Sequence, residues 1–427
     1  MIHFEKDIPI HGDYDVIVAG GGIAGVSAAV SAARCGKKVL LIEKSVKLGG
    51  LATLGLVNLF VPMCNGRGKQ IIFGMAEELL RLSVQYGYDT LPKEFENGRI
   101  PAKILAEYAA AGKKPPRYMT KFSAEIFALT LTELCKNAGV KLLFDSVVTH
   151  AFTETAADTV LKAVAVENKS GTSCYTARMF VDTTGDGDLM ARMQLPTVER
   201  GNYHTYYGFQ ISLESCKRAV EQKNIAPALS WCGGGANLYG DNHPAEIPLY
   251  YGSDAEEVNR YLICNQLGLL EQLKKDDRCS RDVVTLPGMA QLRTTRRMDA
   301  DYTLRESDAF RHFDDSIGAV CDFDRRDYLF EIPYRALVKT GYRNIITAGR
   351  SAAGDGYAWD VIRVIPPAAI TGQAAGIAVA HAIDESCAVC DVRIGILQRA
   401  LEERGVLIHF DDADVPETVS DVHEYND

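Results

Sequence analysis

The sequence predicts an α/β fold in which a parallel central sheet carries a small antiparallel β layer and is interrupted by an inserted α+β domain. Three observations predict it. Residues 14–44 read as strand, glycine turn, helix and strand, and residues 179–188 and 342–350 each repeat an apolar strand that runs into a glycine turn. Between those last two, residues 195–330 form an excursion with strand and helix patterns of their own. Strands alternating with helices in this way are the pattern of a parallel sheet covered by helices. The chain therefore divides into a discontinuous domain, residues 1–194 and 331–427, and a cap domain, residues 195–330. A length of 427 residues is ample for both.

The first unit carries the most information. Val16, Ile17, Val18 and Ala19 are apolar enough for a strand buried on both faces. Gly20, Gly22 and Gly25 follow at the spacing of a dinucleotide-binding turn, which needs a tight bend, open backbone beside a pyrophosphate and close helix–strand contact. Ile23 and Ala24 open a helix that runs to about Cys35, so its free N–H groups and positive dipole end face the phosphates. Glu43, followed by Lys44, lies 23 residues beyond Gly20, near the ~20 expected of the acid that holds ribose hydroxyls. Together these residues make a Rossmann-like nucleotide-binding unit.

Next, Leu48-Gly49-Gly50-Leu51-Ala52-Thr53 is a loop poor in side chains, whose backbone passes close to a flat, bulky group. Residues 73–86 have helical apolar spacing through Met75, Leu79, Leu80, Leu82 and Val84. Residues 91–117, richer in Pro, Gly and Lys, read as loops. Residues 122–138 read as a helix stopped by Gly139, and 140–144 as a strand. From 150 to 181 short β segments turn at Gly171, and the last of them leads into Thr183-Thr184-Gly185-Asp186-Gly187. The insertion offers a strand at 203–213 and a long helix at 254–274. Residues 342–347 form a strand entering Ala348-Gly349, and Pro366-Pro367 suits a helix start, where missing N–H donors cost nothing. Residues 392–405 carry Ile394, Leu397 and Leu401 at helical spacing, and the acidic tail from Asp411 reads as mobile.

The segments 20–25, 49–50, 182–188 and 348–376 resemble those of FAD-dependent oxidoreductases in the fumarate reductase and succinate dehydrogenase flavoprotein superfamily, with its glutathione-reductase-type FAD-binding fold. The resemblance spans about residues 14–406 and thins at 196–282, where a substrate is chosen. It implies FAD as cofactor, held by Gly20, Gly22, Ile23, Ala24, Gly25, Glu43 and Lys44, and by Gly49, Gly50, Leu51 and Ala52. It implies further contacts from Val148 beside the adenine, and from Thr184, Gly185, Asp186 and Gly349. Pro367, Ala368, Ala369 and Ile370 would bring a helix N-terminus to the flavin ring, to stabilise negative charge at N1 and the C2 carbonyl. Many relatives carry an acid after the late Ala-Gly turn to bind the ribityl chain, whereas this chain has Arg350. Either Asp355 takes that role or Arg350 meets the pyrophosphate. No histidine-containing attachment motif stands at 49–53, so the FAD is expected to be non-covalent.

Arg363 stands three residues before Pro366, which puts it beside the flavin end of that helix. It matches the arginine that binds the substrate carboxylate in fumarate reductase and aspartate oxidase relatives; the alternative is a bond to the flavin C2 carbonyl or to an acid such as Asp360. Arg293, Arg296 and Arg297 put three cations into five residues of an acidic protein. They make either an anion site, since the guanidinium fork holds carboxylate bidentately, or salt bridges to Asp299, Asp301 or Glu306. The resemblance brings this segment to the flavin from the cap side. In a strand, Arg293 and Arg297 share a face, which makes them the expected pair. His204, Tyr206, Tyr207, Tyr357 and Trp359 are aromatic candidates, with His204 and Tyr357 foremost. Beside a flavin, such groups act as acid or base, or simply line the cavity.

A net charge of −10 and the lack of a basic run argue against nucleic acid as a partner. No stretch is long and apolar enough to span a bilayer, and residues 1–7 lack the apolar core of a secretory signal. Eleven cysteines, an odd number, fit free thiols in a reducing compartment, so a cytoplasmic protein is expected. No HxH or HExxH pattern offers a metal site, and no cysteine run has iron–sulfur spacing. Cys387 and Cys390 have redox-motif spacing but follow a helix, not a thioredoxin-like strand. The expected activity is hydride transfer between flavin N5 and a small polar metabolite, carboxylated or polyhydroxylated, with an unknown electron donor or acceptor completing the cycle. The alternative is a flavin-carrying electron-transfer or regulatory subunit that acts with a protein partner.

Overall fold

The chain begins with the unit that the sequence announces. The computed structural model describes residues 2, 5–154 and 159–424; the remaining residues of segment 1–7 and of the acidic tail lie outside the described residues, as do 155–158. Strand β1 (Ile10–Ala19) ends in four residues with no exposed surface, Val16 to Ala19. Helix α1 (Ile23–Arg34), buried from Ile23 to Ala32, and strand β2 (Val39–Ile42) complete the unit. Beyond the glycine loop come β3 (Leu59–Phe60), α2 (Met75–Val84), α3 (Ala102–Ala110), β4 (Thr120–Lys121), α4 (Ala124–Asn137) and β5 (Lys141–Leu143). Helix α3 falls in the stretch that reads as loops. It buries no residue, yet Ala102, Lys103, Leu105, Ala106 and Glu107 are strong helix formers placed behind Pro101.

Strands β6 (Val147–Thr153), β7 (Leu161–Asn168) and β8 (Gly171–Asp182) follow, then α5 (Asp188–Arg192). Residues 197–298 contain β9 (Thr197–Glu199), β10 (Thr205–Ser212), α6 (Leu213–Gln222), β11 (Ser230–Gly235), α7 (Ala255–Leu273), β12 (Arg281–Thr285) and β13 (Arg296–Met298). Asp254 caps α7 by accepting a bond from the Glu257 N–H. The chain ends with β14 (Ser316–Cys321), β15 (Leu329–Pro333), β16 (Ile345–Thr347), α8 (Gly356–Ile362), α9 (Ile365–Asp384) and α10 (Ile394–Glu402).

Strands β5, β2, β1 and β8 pair in parallel in that order, and β16 joins β8, also in parallel. Strands β7 and β6 extend the sheet antiparallel from β8, so the antiparallel layer shares that strand with the parallel one. The result is a mixed α/β fold of Rossmann type. Ile42, Ala19, Asp182 and Thr347 stand in register across β2, β1, β8 and β16. The chain leaves all four strands at one edge, where Glu43, Gly20, Thr183 and Ala348 come next. This is the carboxyl edge at which open α/β sheets bind ligands.

Helix α9 lies in the core with α1 across it, because Gly372 and Gly376 let the two backbones meet. A Cβ at either glycine would come 2.3 Å from the carbonyl oxygen of Ala24 or Ala28. Leu304, Phe313, Ile317, Val320 and Phe330 join this same cluster. The three-stranded sheet β11-β10-β12 stands apart from it, backed by Tyr206, Cys232 and Leu269. Residues 420–424, read from sequence as part of a mobile tail, have defined partners: His423 Nδ1 lies 2.7 Å from Asp324 Oδ2, and Arg326 Nη1 donates to Glu424 Oε1 at 3.0 Å. Among the described residues no single helix is long and apolar enough to cross a membrane. Helices α8 and α9 pass that test only together, across a 77° bend.

Candidate active site

A cavity of about 640 Å³ opens at the carboxyl edge of the parallel strands. Its floor is the first glycine turn. Gly20 has a φ of +102°, and a Cβ there would lie 2.4 Å from the Thr183 carbonyl oxygen; a Cβ on Gly25 would lie 1.8 Å from the Gly20 carbonyl oxygen. Gly22 lines the cavity, and a Cβ on it would meet nothing within 4 Å. That leaves the turn's backbone open where a pyrophosphate requires it. Glu43 is buried, and its carboxylate accepts the Gly21 N–H at 2.6 Å and the Ser45 N–H at 2.7 Å.

Two further turns complete the wall. The Gly49 N–H donates to the Gly21 carbonyl at 2.8 Å, which fastens the second glycine loop to the first. Asp182 shapes the third turn, since its carboxylate accepts the Thr184 N–H, the Thr184 hydroxyl and the Met190 N–H. Burial raises its pKa, and those three bonds oppose the rise. Arg350, also buried, donates through Nε to the Gly185 carbonyl at 2.9 Å and through Nη2 to Asp186 Oδ1 at 2.6 Å. Its Nη1 reaches the Leu292 carbonyl, which ties the inserted segment to the cavity rim.

The residues proposed from sequence for the cofactor fall into two groups. Gly20, Gly22, Ile23, Ala24, Glu43, Lys44, Gly49, Gly50, Leu51, Ala52, Val148, Thr184, Gly185, Asp186, Gly349, Arg350 and Ala368 line the cavity. Gly25 lies behind the turn, while Pro367, Ala369 and Ile370 are buried within the packing of α9. Asp355 is exposed at the start of α8, with its N–H on the Leu304 carbonyl. Of the two residues weighed for the late turn, Arg350 is the one at the cavity. Sequence reasoning missed Leu54, Ser146, Arg192, Val258, Leu262, Met289, Ala290, Leu292 and Ile365, which also line it. Most come from residues 258–292, where the sequence showed a helix at 254–274 but nothing to say which of its residues face the cofactor.

The candidate catalytic residues separate in the same way. Arg363 lines the cavity, and its Nε donates to Asp360 Oδ1 at 2.8 Å. Asp360 is buried and also receives Arg200 Nη1 at 3.0 Å. Arg293 adjoins this group in a small recess beside the cavity, with its guanidinium donating to the Asn237 carbonyl at 2.8 Å. Burial lowers the Arg293 pKa, and the nearby Arg363 charge adds to the effect. Strand β13 begins only at Arg296, so Arg293 and Arg297 do not share a strand face as expected. Arg296 pairs with Glu199, and Arg297 lies 5.6 Å from the Trp359 ring centroid.

His204 and Tyr357 do not line the cavity. Tyr357 donates to Asp322 Oδ1 at 2.7 Å and stacks on Tyr239, and burial followed by the Asp322 charge pushes its pKa far up. His204 has a buried Nδ1 with no partner among the described residues. Burial, and then His243, lower its pKa.

A cavity of this size at the switch point, walled by backbone where phosphates lie, defines a dinucleotide-binding α/β protein. The chain belongs to the FAD dependent oxidoreductase family, whose sequence model matches residues 15–208 and 250–401. It is therefore a flavin enzyme, and the open glycine backbone at Gly22, with the glycine turns around it, fits the FAD that the family uses. No curated protein matches the chain. Among solved structures it is similar to p-nitrophenol 4-monooxygenase from Pseudomonas putida DLL-E4, at 13% identity and a TM-score of 0.47 over 95% of this chain and 91% of that one. It is similar also to L-proline dehydrogenase from P. horikoshii, at 15% identity and a TM-score of 0.41 over 94% and 100% of the two chains. A geranylgeranyl bacteriochlorophyll reductase-like protein from Thermoplasma acidophilum matches at 14% identity and 0.43, over 94% of each chain.

Proposed function

We propose that the protein transfers a hydride between a small carboxylated metabolite and non-covalently held FAD, with Arg363 as the carboxylate-binding residue. One observation carries this reading: Arg363, Arg293 and Arg200 gather around a single buried carboxylate, Asp360. Three guanidinium groups against one carboxylate leave an excess of positive charge beside the cavity, and an anionic substrate would neutralise it. Asp360 occupies Nε of Arg363, while neither Nη group has a hydrogen bond among the described residues. Those groups form the fork that receives a carboxylate in two parallel bonds.

When bound, FAD supplies the hydride chemistry at N5. The protein binds, orients and excludes water. Gly20 and Gly22 would present backbone to the pyrophosphate, Glu43 and Lys44 would meet the ribose and Val148 the adenine, and Arg350, which fixes the turn of Thr184, Gly185 and Asp186, would hold that turn for the cofactor. Gly349 and Ala368 bring the start of α9 to the same wall, where its dipole favours negative charge. The lining has no histidine, cysteine or tyrosine among the described residues, which supports non-covalent FAD. Arg293 shapes the anion site from the cap, residues 195–330, and residues 1–194 with 331–427 hold the cofactor. A second electron donor or acceptor completes the cycle, and the net charge of −10 and free thiols suit a cytoplasmic location.

Anaerobic titration with carboxylated metabolites tests the reading. Bleaching of the flavin spectrum by one of them is the expected result, whereas reduction only by a protein partner would make the chain an electron-transfer subunit. Arg363→Ala should keep its FAD and lose about a hundred-fold or more in turnover. Unchanged turnover removes Arg363 from the site.

A further inference from the structure

We propose that His312, Glu331 and His409 form a site for a divalent cation of the zinc class, remote in function from the flavin cavity. Their candidate ligand atoms all lie within 4.8 Å of one another. Glu331 sits on β15 with no exposed surface, and its salt-bridge partners among the described residues are two imidazoles, with no lysine or arginine. His312 Nδ1 lies 2.6 Å from Oε1 and His409 Nδ1 3.0 Å from Oε2. A buried carboxylate is held by cations, hydrogen bonds or a metal, and two imidazoles with one carboxylate are a recurrent zinc ligand set that leaves a position open.

The surroundings hold the ligands as such sites require. The Phe313 N–H donates to Glu331 Oε2 at 2.8 Å and orients the carboxylate. Asp412 Oδ1 lies 3.0 Å from His312 Nε2, the ring nitrogen that faces away from Glu331. Metal-bound histidines commonly donate that second N–H to a carboxylate, which fixes the ring and raises its basicity. His409 is placed by the hairpin of β14 and β15, because the Ser316 hydroxyl donates to the Ile408 carbonyl and the Ala319 N–H to the Leu407 carbonyl. Both histidines are about half exposed, so a cation has an entry path.

Ligands at zinc bond lengths and tetrahedral angles stand about 3.3 Å apart. The two imidazoles rest on different oxygens of Glu331, so reaching this spacing around one cation draws together ligand atoms that stand up to 4.8 Å apart. Cation binding through both Nδ1 atoms requires each neutral ring to carry its proton on Nε2, and for His312 that nitrogen faces Asp412.

The test uses the FAD-loaded full chain, chelator-treated, desalted and titrated calorimetrically with zinc chloride. One saturable site per chain is expected, weakened about ten-fold or more by Asp412→Asn and lost in the His312→Ala/His409→Ala double variant. That variant retains all eleven cysteines, so zinc held by thiols would survive in it. An unchanged flavin spectrum reports that the double variant is folded. X-ray absorption at the zinc edge of the wild type should show nitrogen and oxygen ligands. No saturable binding, equal binding by the double variant, or a sulfur-ligated spectrum overturns the proposal.

Discussion

Glu43 and His204 show how differently a single residue declares itself. Glu43 is legible because its spacing from Gly20 is a property of the chain, and the structure seats its carboxylate on the Gly21 and Ser45 N–H groups. His204 has no such spacing. What distinguishes it is an environment assembled by folding: a buried Nδ1, His243 beside it and the Tyr250 ring 6.4 Å away. Its folded pKa lies below the ordinary value, so between that value and about 6.5 the unfolded chain binds more protons than the folded one. Stability therefore rises with pH through this window and is lost as pH falls through about 6.5 toward the folded value. Thermal melting from about pH 5 to pH 7.5 should show a shallower acid decline for His204→Gln than for the wild type. Parallel curves would mean that His204 contributes nothing to acid sensitivity.

Elements were legible where their residues state both the period and the reason for burial. Helices α1 and α9 are buried along nearly all their length and rich in Ala and Gly where they cross, and β1 and β8 run through apolar residues toward glycine turns. Helix α3 was not legible, because its apolar stripe is only Ile104, Leu105 and Tyr108, none of them fully buried, and nearby Pro, Gly and Lys mask it. The α1–α9 crossing makes a quantitative demand. A methyl at Gly372 would meet Ala24 at 2.3 Å from its carbonyl oxygen and 2.9 Å from its Cα, both backbone atoms that cannot rotate aside. Overpacking of this kind costs about 1–3 kcal/mol, against a gain of ~1 kcal/mol in helix propensity. Gly372→Ala should lower the melting midpoint and release FAD, because Ala24 lines the cavity. Gly395→Ala on α10, whose new Cβ would lie 4.0 Å from the Arg399 guanidinium, should not. Equal melting of the two variants would show that the crossing has slack.

In the molecule as a whole, the cavity wall at the parallel strands was readable and the lining from residues 250–292 was not. The wall is local, since it is built from strand ends and glycine turns, whereas the other side depends on which distant carbonyl a side chain finds. Gln291 illustrates this: in sequence it is an unremarked polar residue, yet it is buried where the insertion meets the glycine loop. Its Nε2 donates to the Gly55 carbonyl at 2.7 Å and the Tyr207 carbonyl at 2.9 Å, while its Oε1 accepts the Tyr207 N–H at 2.8 Å. The Gly288 N–H on the Leu54 carbonyl and the Thr295 hydroxyl on Asp186 extend the seam on either side. His312, Glu331 and His409 escaped the reading of metal motifs for the same reason, as residues far apart in sequence meet only on the folded hairpin. Gln291→Ala would leave backbone groups of Gly55 and Tyr207 buried without partners, at about 1–3 kcal/mol for each group left unsatisfied. The fold should survive, because the main core around α1 and α9 lies elsewhere, and the seam should open. Hydrogen exchange would then quicken at residues 49–56 and 203–210 while α1 and α9 stay protected, and FAD would dissociate faster. Unchanged exchange at 49–56 would show that the seam is held without Gln291, by the Gly288–Leu54, Arg350 and Thr295 bonds.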